Sequence, residues 1–348
     1  MGHYRTLTTP LGQLSYWEQD PLGDGRSAIP GHPSRDETNA RNPSQINSSQ
    51  INPSQPSPSH QDNPPLVFCH GLGVGSSAFE WSKIYPAWGD RHRLIVPEFV
   101  GWGRSDKPDR RYQIQDYLDQ LEQILTEVAR SPAWVLAASL TGGLALRLAT
   151  QKPHLFQGLA LVSPSGYGDF GQTYRNPVLN FLERWGNGRP DRGGNPDCHH
   201  GQDRGGDRAI TRSLYQGLTQ PWAIAGAIDR FLLAPNSPLS RPDRQDLYHA
   251  YTTAAQQPRA HFTALATLRG SLCFDLAPLI PHLQTPTHFL WGTQAQASPL
   301  RTGHRLQQLN PHWIQSLTPL PHAGMVPHLE QPDAVQIWLQ RLLSPPRQ

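Results

Sequence analysis

The chain has 348 residues, of which 36% are hydrophobic and 35 are proline; one large α/β domain fits this length, but so much proline places part of the chain outside any core. A net charge of +3, small and dispersed, argues against nucleic acid or an anionic membrane surface as a partner. Cys69, Cys198 and Cys273 fall at no paired or metal-like spacing, so neither a disulfide framework nor a zinc site is indicated, and a reducing, cytoplasmic setting is expected.

The opening "MGHYRTLTTPLG" reads as a first β-strand, and its match to a myristoylation pattern through Gly2 and Thr6 is the loose kind that strands produce by chance. It holds no apolar run of signal-peptide type, and no segment nears the roughly 18 apolar residues of a membrane span. Residues 20–64 turn to Pro, Ser, Asn, Gln and Gly, with the imperfect repeat "NPSQINSSQINPSQPSPS". Too little apolar surface is available there to offset the ordering entropy, so a disordered insertion is expected, and the sequon at Asn47 inside it carries little weight. Strands "QLSYWEQ" and "PLVFCHG" flank it.

Beyond Pro65 apolar strands alternate with amphipathic helices: "HRLIVPEF", the helix "QIQDYLDQLEQILTEVAR", "AWVLAAS", a helix from Gly142, "GLALVSPSG", and later "THFLWG", "WIQSLTPL" and the helix "AVQIWLQRLL". Strands joined by helical crossovers predict an α/β fold, a mostly parallel sheet with helices on both faces. Residues 167–275 break the rhythm with helical segments such as "PVLNFLERW" and "TALATLRGSL", which predicts a helical cap inserted into the core formed by 1–19, 65–166 and 276–348. Within the cap, residues 186–208 form a second low-complexity run whose four Arg are matched by four Asp, so no RNA-binding charge accumulates. Cys198, His199 and His200 lie there without a closed ligand set, and no metal or other cofactor is expected.

Four motifs fall in order along this pattern. They are "FCHGLG" at 68–73, "PEFVGWGRSDKP" at 97–108, "PTHFLWG" at 286–292 and "AGMVPHLEQP" at 323–332. With them the chain resembles the α/β-hydrolase superfamily over nearly all of its length outside the two low-complexity runs; "AASLT" with "SGYGDFG" is also similar to α/β-hydrolase-like proteins of cyanobacteria. The resemblance implies a nucleophile on a sharp strand-to-helix turn, an acid after a late strand and a following His, with backbone N–H groups holding the oxyanion. It departs from the family pattern at Glu98, where Asp is usual, and at Val100, where Pro is usual. Trp102 and Arg104 are expected mainly to shape the turn around Gly101 and Gly103.

Each triad role calls for a particular residue type, and the aligned positions do not supply it. "WGTQAQASP" puts Ala295 at the acid position, and G-M-V-P-H-L-E-Q-P puts Met325 where the general base belongs. A thioether has no proton-accepting pKa near neutrality. For the turn, small flanking residues Ala138 and Gly142 favour Leu140 at the tip; Ser139 and Thr141 remain as alternatives.

The resulting expectation is a catalytically silent protein with triad positions Leu140, Ala295 and Met325, and a pocket lined by His70, Gly71, Ser139, Leu140 and Met325. Backbone N–H groups of Leu72 and Thr141 are expected to hold the oxygen of an apolar carbonyl-bearing small molecule. At such a tip, with no nucleophile to present, a relaxed turn is expected. An active ester or C–C bond hydrolase using Ser139 with His322 or His328 is the alternative, and an interaction or scaffold protein acting through residues 20–64, its partner unknown, is a third reading.

Overall fold

The computed structural model describes residues 2–21, 63–171, 213, 215–268 and 270–343. The low-complexity runs apart from their edges, Asn47, the segment "PVLNFLERW" and the Cys198, His199, His200 cluster lie outside the described residues.

Eight strands form one sheet: β1 (His3–Thr9), β2 (Gly12–Gln19), β3 (Leu66–Cys69), β4 (Leu94–Glu98), β5 (Ala133–Ala138), β6 (Phe156–Val162), β7 (Thr287–Gly292) and β8 (Ile314–Leu320). Their order across the sheet is β1-β2-β4-β3-β5-β6-β7-β8. β1 and β2 form an antiparallel hairpin and β2 is antiparallel to β4; every later pairing is parallel. The motif at Gly2 to Thr6 is thus the start of an edge strand.

Alternation along the strands divides the core in two, because successive side chains point to opposite faces. Val67, Cys69, Ile95, Val135, Ala137, Leu159, Leu161, Phe289 and Trp291 pack on one face. That face is covered by α1 (Ile114–Gln123), α2 (Ser139–Gln151) and α6 (Leu300–Leu309). Leu66, Phe68, Leu94, Val96, Leu136, Ala138, Ala160, Val162 and Leu290 pack on the other, under Trp81, Ile84 and Trp88 and the residues Val335, Trp338 and Leu339 of α8 (Pro332–Leu343). The strands therefore read as continuous apolar runs, as expected for a sheet buried on both sides.

Between β6 and β7 lie α3 (Pro221–Ala227), α4 (Arg241–Ala255) and α5 (His261–Leu268). Ile224, Ile228, Leu247 and Tyr251 form a third apolar cluster together with Val326 and Leu329, the latter on the short α7 (Pro327–Glu330). Two helices differ from their sequence reading. The helix expected over 113–130 is α-helical to Gln123 and π-helical over Ile124–Ala129, ending on left-handed Arg130. The helix expected from Gly142 begins three residues earlier, at Ser139.

The chain runs from β3 outward to β4 and then crosses to β5 on the other side of β3. Such a reversal opens a crevice at the carboxyl ends of the two neighbouring strands. β3 and β5 end in register, Cys69 opposite Ala137, so His70–Gly71 and Ser139 emerge side by side.

Candidate functional site

At the end of β5 the backbone turns sharply into α2, and the residue that bears the turn is Ser139, with φ 54°. A non-glycine residue in the left-handed region costs on the order of 1–3 kcal/mol and persists where surrounding structure over-determines it. Leu140 is not at the tip: it is 1% exposed and packs into the main apolar core. Thr141 is fully buried, and its hydroxyl donates to the carbonyl of His70 at 2.6 Å. The expected placement of Leu140 at the tip, and of a relaxed turn there, is therefore corrected to Ser139 on a strained one.

The physical reason lies in what the flanking residues meet. A Cβ on Gly143 would sit 2.6 Å from the carbonyl oxygen of Ser165, and one on Gly142 3.0 Å from Pro164, so these glycines serve packing against the loop after β6. β-branched Thr141 fits its crowded position because its hydroxyl finds an acceptor. With the tip at Ser139, the N–H that follows it is that of Leu140 rather than Thr141. It lies in the first turn of α2, where N–H groups have no intrahelical acceptor.

Ser139 Oγ and the hydroxyl oxygen of Tyr167 are 2.6 Å apart, close enough for either to donate. Tyr167 sits in the loop after β6, at φ 58°, between Ser163 (φ 43°) and Phe170 (φ 60°), both also left-handed. Ser165 Oγ accepts the Tyr167 N–H at 2.9 Å and donates to Asp169 at 2.7 Å, while Ser165 N–H donates to the Ser139 carbonyl at 3.1 Å. Opposite, Phe274 bridges Tyr167, taking the Gly168 N–H at 3.1 Å and donating its own to Gly166 O at 2.8 Å. Burial raises the Asp169 carboxyl above the usual range, against its bonds from Ser165, Leu276 and Gly166.

The histidines are placed elsewhere. His70 is fully buried; its Nε2 accepts from Phe99 N–H at 3.3 Å, so its proton lies on Nδ1, facing Gly71 O at 2.5 Å. His322 is exposed, at φ 58°. His328 is fully buried, stacked on Trp81 at 4.4 Å, with neither ring nitrogen hydrogen-bonded, and burial lowers its pKa to about 3. Among the described residues, none of the three shares a hydrogen bond with Ser139.

Buried carboxylates tie the surrounding loops together. Glu98 accepts from Ala78 N–H at 3.1 Å and Arg104 N–H at 2.8 Å, which is how Glu serves at this turn. Trp102 is buried with its indole N–H on Tyr117, and Arg104 lies over the Tyr4 ring. Glu80 accepts from Gly71 N–H at 2.7 Å and from the Tyr251 hydroxyl at 3.0 Å, joining the loop after β3 to α4. Glu330 accepts from Gly324 N–H at 2.6 Å and Ala234 N–H at 2.8 Å.

Residues 64–332 match the family described as the alpha/beta hydrolase fold. The chain belongs to the α/β-hydrolase fold family. An uncharacterised protein of Mycobacterium tuberculosis (strain ATCC 25618 / H37Rv) is 31% identical over 103 residues, 30% of this chain and 30% of that protein. The 2-hydroxymuconate semialdehyde hydrolase of Pseudomonas sp. (strain CF600) is 31% identical over 104 residues, 29% of this chain and 37% of the enzyme. The chain thus spans about a third of the length of the curated relatives it matches. A serine hydrolase involved in carbazole degradation, CarC, superposes with TM-score 0.64 at 14% identity, over 99% of both chains, a likeness of fold.

Aligned on the α/β-hydrolase pattern, Ala295 is 5% exposed and Met325 2% exposed, and both pack in the main apolar cluster. Met325 N–H donates to Leu232 O at 2.7 Å, which locks this loop against the chain leading out of α3. Of the residues expected to line a pocket, His70, Gly71, Leu140 and Met325 are buried and Ser139 is half-buried. Tyr167 was not singled out from sequence. The available signal was its place in "SGYGDFG" after β6, the strand paired with β5, whose carboxyl-end loop must neighbour that of β5.

Proposed function

We propose that this α/β-hydrolase-fold protein binds an apolar, carbonyl-bearing small molecule at the β5–α2 turn, beneath the helices between β6 and β7 acting as a cap, and does not turn it over by acid–base catalysis. The observation that carries this reading is the partner of Ser139: a phenol at 2.6 Å rather than an imidazole. A phenol hydroxyl, unlike a neutral imidazole nitrogen, is a poor proton acceptor at neutral pH. Met325 and Ala295 at the aligned base and acid positions support it, since neither side chain moves a proton.

Backbone N–H groups of Leu72 and Leu140 would hold the ligand's carbonyl oxygen, a role that survives any side-chain change except proline. The test is release of nitrophenolate from p-nitrophenyl esters near neutral pH. No steady turnover above that of buffer is expected; steady turnover abolished by Ser139→Ala would overturn the reading.

One observation favours a second reading, an active serine hydrolase: the strained backbone of Ser139 is the conformation that presents a nucleophile. That enzyme would need His322 or His328 to move to Ser139, and steady neutral-pH turnover lost in His322→Ala or His328→Ala would establish it.

A further inference from the structure

We infer that the outer side of the segment 221–232, "PWAIAGAIDRFL", is a docking surface for an anionic phospholipid bilayer. This goes beyond the pocket and does not depend on what the pocket binds. Among the described residues the two most exposed large apolar side chains are Trp222, at 76%, and Phe231, at 53%, and both lie on this one short stretch. It comprises α3 and the π-helical turn Ile228–Leu232 that continues it. Its inner side is already used, since Ile224 and Ile228 pack with Leu247, Tyr251, Val326 and Leu329. That packing holds the element in place without help from Trp222 or Phe231. Gly226 and Ala227 are exposed between them, so the helix is apolar on both sides, a pattern that ordinarily means cover on both.

Charge decides what the cover is. The stretch carries one acid and one base. Asp229 is taken up by Arg244 at 2.8 Å and by the Tyr248 hydroxyl at 2.7 Å. Arg230 lies 5.5 Å over the Phe231 ring and donates to Gln296, in the loop that leads from β7 into α6. On α6 the exposed Arg301 and Arg305 share one side of a helix that has no acidic residue, and Arg305 lies 3.6 Å over the Phe170 ring. Among the described residues no carboxylate pairs with Arg230, Arg301 or Arg305.

Projecting aromatic rings beside guanidinium groups without a counter-ion match the surface of an anionic bilayer, where the rings lodge at the headgroup level and Arg meets phosphate. The net charge of +3 is dispersed over the chain as a whole, but along this edge cations gather. A second copy of the chain fits less well. A two-fold pair through this surface would set the same Arg groups against each other. Two aromatic side chains also cover at most about 250 Å² each, short of the roughly 800 Å² per partner that a stable interface buries.

The full chain is mixed with vesicles of phosphatidylcholine, alone or with phosphatidylglycerol added, and bound protein is separated by flotation. The wild type should float with phosphatidylglycerol vesicles at low ionic strength, and at least about tenfold less with pure phosphatidylcholine or in high salt. Trp222→Ser with Phe231→Ser should weaken binding at least about tenfold, and so should Arg230→Gln with Arg301→Gln and Arg305→Gln. Ile337→Ser, at an exposed apolar position of α8, should bind as wild type does. All these side chains are exposed, so each variant should keep the wild-type circular dichroism and urea midpoint, which separates lost docking from lost folding. A wild type that stays off phosphatidylglycerol vesicles at low salt, or a Trp222→Ser, Phe231→Ser variant that floats as wild type does, overturns the inference. Self-association of the wild type that is lost in that same variant would assign this surface to a second copy and overturn it equally.

Discussion

Ser139 combines a left-handed backbone at the β5–α2 turn with a phenol as the partner of its hydroxyl. Its φ of 54° places it at the head of α2, where its Oγ meets the Tyr167 hydroxyl. Chemistry and scaffold are thus separable at single residues. The function proposed above predicts that Met325→His with Ala295→Asp raises nitrophenyl ester hydrolysis near neutral pH by about a hundredfold over wild type. Adding Ser139→Ala should remove the gain. A folded double variant that still binds ester but stays silent would show that the turn has lost more than its acid and base. Met325 and Ala295 were legible from spacing, because Gly324, Pro327, Glu330 and Pro332 fix one register and Trp291, Gly292 and Pro299 the other. Ser139 and Leu140 were not separable that way. One residue apart, they differ only in which of them the backbone turns outward, and that depends on the seat Leu140 finds in the core.

Short elements do the joining between sheet and helices. Gly101, at φ 101°, leaves no room for a Cβ, which would fall 2.0 Å from the Thr263 methyl of α5; the Thr263 hydroxyl donates to Gly101 O at 3.0 Å. α7 docks through His328, stacked on Trp81 of the 3-10 turn Ala78–Trp81, whose indole N–H donates to Cys69 O at 2.9 Å. His328 is neutral in the folded state because burial lowers its pKa to about 3, whereas in the unfolded chain it protonates near 6.5. The unfolded state therefore binds the extra proton between these values, and stability falls as pH drops below about 6.5. Urea unfolding should lose up to about 1.4 kcal/mol per pH unit in that window from this one group. His328→Phe keeps the stack and should remove that component; equal pH slopes for the two proteins would refute the assignment. From sequence, His328 read as a candidate general base. Its burial against Trp81 could not be foreseen, because the two rings come from segments 247 residues apart.

The molecule as a whole places its long sequence excursions where the sheet tolerates them. Gln19 at the end of β2 and Leu66 at the start of β3 flank the same residue, Leu94 of β4, so the two ends lie about two strand spacings apart, roughly 10 Å. Asp20, Pro21, Asn63, Pro64 and Pro65 suffice to span that gap. Joining Pro21 directly to Asn63 should leave the thermal midpoint within about 3 °C of wild type. A large loss of stability would mean that residues 22–62 pack on the domain. If a protein partner depends on those residues, its capture should be lost in the same variant.

Composition and alternation determined the sheet, its coverage on both faces and the place of the turn, because a strand buried on two sides must be apolar throughout and a crossover must be helical. The resemblance of the motifs at 286–299 and 323–332 to the family pattern is what aligned Ala295 and Met325 with the acid and base positions. Only the tertiary structure decided the tip of the turn and its partner. Whether Thr141 fits a crowded position depends on the His70 carbonyl waiting 2.6 Å from its hydroxyl, and Tyr167 meets Ser139 only because Phe274, 107 residues further on, holds its loop in place. Periodicity reports which face a residue takes; the direction of one hydroxyl is set by contacts that no local pattern encodes.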